Sequence, residues 1–177
     1  MERKTRLFIA VELPDEVRKN IIELINELKS SGAAVKWVAE ENLHITLKFL
    51  GWVEDRKIDG VIELTAKAVS GSGGFKASFE GLGTFPPGKS PRVVWVGVKE
   101  GDEELKKLAV SLGEKSFNSH VTIGRIKDKK GVDVLKEKMS GFKEVKFGEV
   151  RVGSVGIMKS TLTPKGPIYE KIKEVKL

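Results

Sequence analysis

Asn42-Leu43-His44-Ile45-Thr46-Leu47-Lys48-Phe49-Leu50-Gly51 and Ser119-His120-Val121-Thr122-Ile123-Gly124-Arg125 carry the only two histidines of the chain in one repeated order: histidine, aliphatic, threonine, aliphatic. Both motifs lie in runs with strand character, Leu43 to Leu50 and His120 to Ile126. Strand side chains alternate faces, so each histidine shares a face with its threonine while the aliphatic spacers point the other way. A single His-x-Thr in a strand is commonplace. Two copies that use every histidine imply two strands offering two imidazoles and two hydroxyls to one pocket. That set suits acid–base chemistry at a phosphate, because an imidazole changes protonation near neutral pH.

The surrounding sequence reads as one pattern made twice. Leu7 to Leu13 is strand-like. Pro14 then opens a helix in which Val17, Ile21, Leu24, Ile25 and Leu28 recur at helical spacing, ended by Ser30-Ser31-Gly32. A short strand is expected at Val35 to Val38, followed by the first motif strand, which stops at Gly51. A second helix is expected from Asp55 to Val69, with Ile58, Val61, Ile62, Leu64, Thr65 and Ala68 apolar or packable. After the loop Ser70 to Gly74, Phe75 to Phe85 is a strand. Beyond the turn Pro86 to Pro91 come a strand at Arg92 to Val98, a helix at Asp102 to Leu112, the second motif strand, and a short helix at Val132 to Met139. Val145 to Met158 reads as one extended run, and Ile168 to Val175 as a last strand. The expected fold is therefore α+β, a single domain over 1–177. The pattern repeat covers 7–85 and 92–158, giving two pseudo-twofold-related lobes. Each lobe is an antiparallel sheet with helices on its outer face, and the motif strands face a central cleft.

Composition narrows the chemistry. The chain has 177 residues, 40% hydrophobic and 32% charged, which fits one globular domain. No apolar run approaches the ~20 residues of a membrane span, and Leu7 to Leu13 is too short for a signal core, so a cytoplasmic protein is expected. With no cysteine, disulfide and thiol chemistry are excluded. A zinc site would need carboxylates beside the two histidines, and no His-x-x-x-His or His-Glu pattern supplies them; no metal and no other cofactor is expected. A net charge of +7 suits an anionic partner such as RNA.

With these segments in view, the chain resembles the 2H phosphoesterase superfamily, and within it the RNA 2′,3′-cyclic phosphodiesterases, also called 2′-5′ RNA ligases. The resemblance rests on the two motifs, on Arg6 to Pro14, on Gly83-Thr84-Phe85-Pro86 with Arg92 to Val98, and on Ser160-Thr161-Leu162 with Gly166 to Glu170. One departure is Ser119, where the family commonly has proline. The resemblance implies a bilobal fold and metal-independent opening of cyclic phosphates at RNA ends, tRNA fragments among them, by a monomer. It implies His120 as proton acceptor from water and His44 as proton donor to the leaving oxygen, with Thr46 and Thr122 on the phosphate oxygens. A bell-shaped pH profile around neutrality follows. Alternatives are a 2′-5′ RNA ligase or 2′-5′-oligonucleotide hydrolase on the same site, and a non-catalytic RNA-binding protein.

Two further residues are placed by strand phase. Lys48 shares the face of His44 and Thr46 if alternation holds, and so either meets the phosphate or reaches solvent. Arg125 falls on the wrong face under strict alternation, yet the family uses this arginine near the phosphate; a bulge at Gly124 would reconcile the two. Phe8, Phe49 and Trp95 are expected in the core. Trp37, Trp52 and Tyr169 are open to either a packing or a base-stacking role.

Overall fold

Val17, Ile21, Leu24, Ile25 and Leu28 are all buried on one side of the helix Asp15–Lys29 (α1). Pro14 precedes it with φ −69° and ψ 157°, and its carbonyl accepts the Arg18 N–H at 3.1 Å. Proline thus ends the first strand and starts the helix without forfeiting an internal hydrogen bond. The structure, a computed structural model, describes residues 1–177. Around α1 the chain runs β1 (Lys4–Glu12), β2 (Val35–Trp37), β3 (His44–Glu54), α2 (Ile58–Val69), β4 (Phe75–Phe85), β5 (Val93–Val98), α3 (Asp102–Ser111), β6 (His120–Ile126), α4 (Val132–Ser140), β7 (Lys146–Val152), β8 (Ser154–Thr163) and β9 (Gly166–Lys176).

The strands form two antiparallel sheets, ordered β3-β1-β8-β9 and β2-β6-β5-β4-β7. Each holds one histidine strand. Helices α1 and α4 pack together with α1 against β7, while α2 packs on β9 and α3, and α3 reaches β3. Every helix therefore contributes its apolar stripe to one continuous cluster of 28 buried residues drawn from both sheets. Burying a Leu, Ile or Val there is worth about 1.5–3 kcal/mol each.

The halves are not separate along the chain. Strands β2 and β4, from the first half, lie in the second sheet, and β8, from the second half, lies in the first. The run Val145 to Met158, expected as one strand, divides at Gly153: β7 pairs with β4 and β8 with β1. An alternating apolar pattern reports that a strand is half-buried, not which sheet receives it. The motif strand also continues past Gly51. That glycine sits at φ 72° beside a register shift against β1, so it absorbs a bulge where the sequence suggested a stop. On α2, Leu64 is exposed while Thr65 and Val69 are buried, a narrower stripe than the spacing suggested.

Candidate active site

β1 has two apolar faces, and they divide the molecule. Leu7, Ile9 and Val11 enter the main core, whereas Phe8 and Ala10 form a second small cluster with Met158, covered by Tyr169. In an antiparallel pair, directly opposed residues share a face. His44 lies opposite Glu12 and Thr46 opposite Ala10, on the Phe8 side of the sheet, while Ile45 lies opposite Val11 on the core side. In the other sheet, His120 lies opposite Gly97 and Thr122 opposite Trp95, away from the buried Val94, Val96 and Val121. The phase read from the sequence at both motifs is the phase observed.

The two imidazoles are held alike. His44 Nδ1 lies 2.7 Å from the Asn42 carbonyl, and His120 Nδ1 lies 2.7 Å from the Asn118 carbonyl. A carbonyl can only accept, so each Nδ1 carries the proton and each neutral ring presents a bare Nε2. The Nε2 of His44 lies 2.7 Å from Thr46 Oγ1. Asn42 is itself anchored by its side chain, which donates to the Pro167 carbonyl at 3.0 Å. Ser119 donates to the Asp102 carboxylate at the start of α3, so a hydroxyl–carboxylate tie fixes the entry to β6.

Aromatic rings wall both histidines. Phe8 lies 5.0 Å from the His44 ring centroid and Tyr169 meets it edge-on at 5.4 Å; Phe85 meets His120 edge-on at 5.1 Å and lies tilted against Trp95 at 5.2 Å. Burial by these rings lowers the pKa of both imidazoles against the carbonyl hydrogen bonds, which favour the charged form. Arg18 and His120 add repulsion at His44, and Arg125 adds it at His120. The neutral form is therefore favoured at both. The Tyr169 phenol is raised by burial, against the pull of Arg125 and Arg6. Tyr169 thus feels an arginine from each sheet, which marks it as a residue of the shared cleft.

Strict alternation fails just after each motif, and in the same way. Thr122 pairs with Trp95 but Gly124 pairs with Val94, so Ile123 is an extra residue. Arg125 then lies opposite Val93, on the face of His120 and Thr122. In β3, Thr46 pairs with Ala10 and Lys48 with Ile9, so Leu47 is the extra residue. This bulge turns Lys48 off the face of His44, and its ammonium instead donates to the Leu112 carbonyl at the end of α3, where a cation suits the unpaired carbonyls. Lys48 is not placed with the histidines. Phe49, opposite Phe8, takes the face that Lys48 was expected to hold; it is 68% exposed and not a core residue. Trp95 is also on the cleft side, its indole lying over Gly83, where any Cβ would overlap it. Trp37 packs on the core beside Gly124, and Trp52 is exposed.

Glu12, opposite His44, is tied to Lys171 at 2.9 Å rather than to the imidazole. No group of three or more His, Asp or Glu side chains is placed to hold a metal ion, and no helix is long and apolar enough to cross a membrane. Sequence reading missed the rings of Phe85 and Trp95 and the charge of Arg18; only the Gly83 and Phe85 spacing on β4 hinted at the first two.

Comparison with known proteins agrees with this geometry. The family model described as LigT like Phosphoesterase matches residues 11–95 and 97–169. A protein of Archaeoglobus fulgidus named RNA 2′,3′-cyclic phosphodiesterase is 41% identical, the alignment covering 95% of this chain and 98% of that one. One of the same name from Methanocaldococcus jannaschii is 37% identical over 96% and 99%. Among solved structures, the Thermus thermophilus protein TT0787 aligns with a TM-score of 0.79 at 28% identity, covering 97% of each chain. E. coli LigT in apo form aligns at 0.77 and 25% identity, over 100% of this chain and 99% of that one. With the family model matching residues 11–95 and 97–169 and these relatives 37–41% identical over nearly the whole length, the chain belongs to the LigT-like phosphoesterase family of the 2H superfamily.

Proposed function

We propose that this protein is an enzyme that hydrolyses 2′,3′-cyclic phosphate ends of RNA to 2′-phosphates, by two-histidine acid–base catalysis without a metal, in the cytoplasm and as a monomer. The reading is supported by the pair of Nδ1-anchored imidazoles, one on each sheet, each on the same strand face as its threonine. His120 Nε2 has no protein partner, which suits it to take a proton from water as the oxygen attacks phosphorus. His44 Nε2, protonated, gives its proton to O3′ as the P–O3′ bond breaks. The product carries a 2′-phosphate and a free 3′-hydroxyl, and the two histidines regain their starting states by proton exchange with solvent. Thr46 and Thr122 donate to non-bridging oxygens, where charge accumulates. Arg125 offers a forked cation to the same phosphate, and Phe49 a flat face for the terminal base. Lys48 has no part in this arrangement.

The decisive experiment is turnover of a nucleoside 2′,3′-cyclic phosphate in EDTA. Release of the 2′-phosphate is expected, with His44→Ala and His120→Ala each lowering the rate by about 10²–10⁴-fold while remaining folded. A 3′-phosphate product, activity lost on chelation and restored by a divalent metal, or a near-normal single-histidine variant would refute the mechanism. Absence of turnover with tight RNA binding would leave the chain a binding protein.

A further inference from the structure

Beyond Phe49, the open face of β3 carries a second large aromatic that this chemistry does not use. Trp52 is 64% exposed, whereas Leu50 and Val53 on either side of it pack on the core. The register shift at Leu50 brings Trp52 opposite Arg6 and leaves Phe49 opposite Phe8, so the two rings share a face and are two β1 positions apart. That is about 7 Å along the strand, a separation that successive bases of a splayed single strand can span. Arg6 lies beside them with no carboxylate partner, while neighbouring Arg3 and Arg56 are occupied by Asp55, Glu2 and Glu54. It lies directly opposite Trp52, and the Phe8–Phe49 pair separates it from Thr46 and His44 along the same face. A single exposed aromatic needs no explanation. Two on one face, continuous with the cleft and beside an unpaired guanidinium, match the stacking-plus-cation pattern of single-strand binding.

We propose that Trp52 and Arg6 form the subsite for the second nucleotide from the cyclic end of a single-stranded RNA, Trp52 stacking on its base and Arg6 holding the phosphodiester that joins it to the terminal nucleotide. The subsite rests on the phosphodiesterase reading and adds to it the place where the penultimate nucleotide is held.

The test compares kcat/KM for a nucleoside 2′,3′-cyclic phosphate with that for a dinucleotide ending in the same cyclic phosphate. The parent should prefer the dinucleotide by about 5- to 100-fold, mainly through KM. Trp52→Ala should remove most of that preference while mononucleotide turnover stays within twofold, and Trp52→Phe should restore part of it. Arg6→Gln should reduce the preference and flatten its salt dependence. A parent that shows no length preference, or a Trp52→Ala protein that keeps it, overturns the subsite. So does a loss of self-association in Trp52→Ala with the preference unchanged, which would assign the patch to a second copy of the chain. If the parent turns over neither substrate, the hydrolase reading fails by itself. The subsite is then judged by affinity for a fluorescein-labelled dinucleotide 2′-phosphate: weakened binding in Trp52→Ala supports it, and unchanged binding overturns it.

Discussion

Arg125→Lys separates the forked geometry of a guanidinium from its charge. In the free protein Arg125 is exposed, lies opposite Val93 and makes no ion pair. Exposed substitutions of this kind change stability by about 0.5 kcal/mol or less, so the melting temperature should move by no more than about 2 °C. Activity should respond differently. A hydrogen bond to a charged group is worth about 1.5–3 kcal/mol, and each 1.36 kcal/mol is tenfold in rate. Losing one arm of the fork therefore predicts a fall in kcat/KM of about 10- to 150-fold on a nucleoside 2′,3′-cyclic phosphate. The chain offers an independent check, because its two histidines give two imidazole signals in a proton NMR titration. Arg125→Gln should raise the pKa of His120, whose protonation the guanidinium opposes, and move His44 far less, since Arg18 and His120 are the charges acting there. A folded Arg125→Lys protein within twofold of the parent, together with an unmoved His120 in Arg125→Gln, would mean that the bulge at Ile123 does not deliver this side chain to the phosphate.

Two further outcomes are expected. Burial lowers both imidazoles from the ordinary value of 6.5, so kcat/KM, which reports the free enzyme, should peak below pH 6.5 rather than at neutrality; the anionic substrate favours the imidazolium, so the kcat profile at saturation should lie at higher pH, and a kcat/KM optimum above pH 7 would contradict burial as the dominant cause. Gly83→Ala drives a Cβ into the Trp95 indole, which packs on Phe85, the ring that meets His120; overpacking of about 1–3 kcal/mol should lower the melting temperature by about 2–12 °C and reduce turnover, and a thermal melt unchanged from the parent would show that the indole moves aside freely.

What the sequence disclosed and what it hid follow from the range of the forces involved. Local periodicity was enough for α1, for β4 at Phe75–Phe85 and for β6 at His120–Ile126, because a helix stripe or an alternating strand is written in neighbouring residues. The facing of His44 with Thr46 and of His120 with Thr122 followed from the same rule over a span of two residues. Sheet membership did not follow, since the partner of β8 is β1, far away in the chain. Phe49 and Trp95 were misplaced for a related reason. Their hydrophobicity is compatible with a core or with a cleft, and only the register decides which face they occupy.

The bulges explain the one systematic error, and they also give the site its asymmetry. The last residue of each motif is the extra one, Leu47 in β3 and Ile123 in β6. After each extra residue the next position, Lys48 in one strand and Gly124 in the other, falls on the core side, and the one after it returns to the cleft. Phe49 and Arg125 are therefore equivalent positions of the two motifs, each five residues after its histidine. The pseudo-symmetric strands supply matched histidines and threonines for a reaction that needs an acid and a base on opposite sides of phosphorus. At the next cleft-facing position the match ends: one strand presents an uncharged ring and the other a cation. A nucleotide has the same division, a flat base at one end and a charged phosphate at the other. A symmetric site could perform the proton transfers but could not orient such a molecule. On the proposed phosphodiesterase reading, the aromatic on the His44 side takes the base and the guanidinium on the His120 side takes the phosphate. Under the same proposal that polarity assigns the attacking water and the leaving O3′ to different histidines, so that two copies of one motif work in one direction.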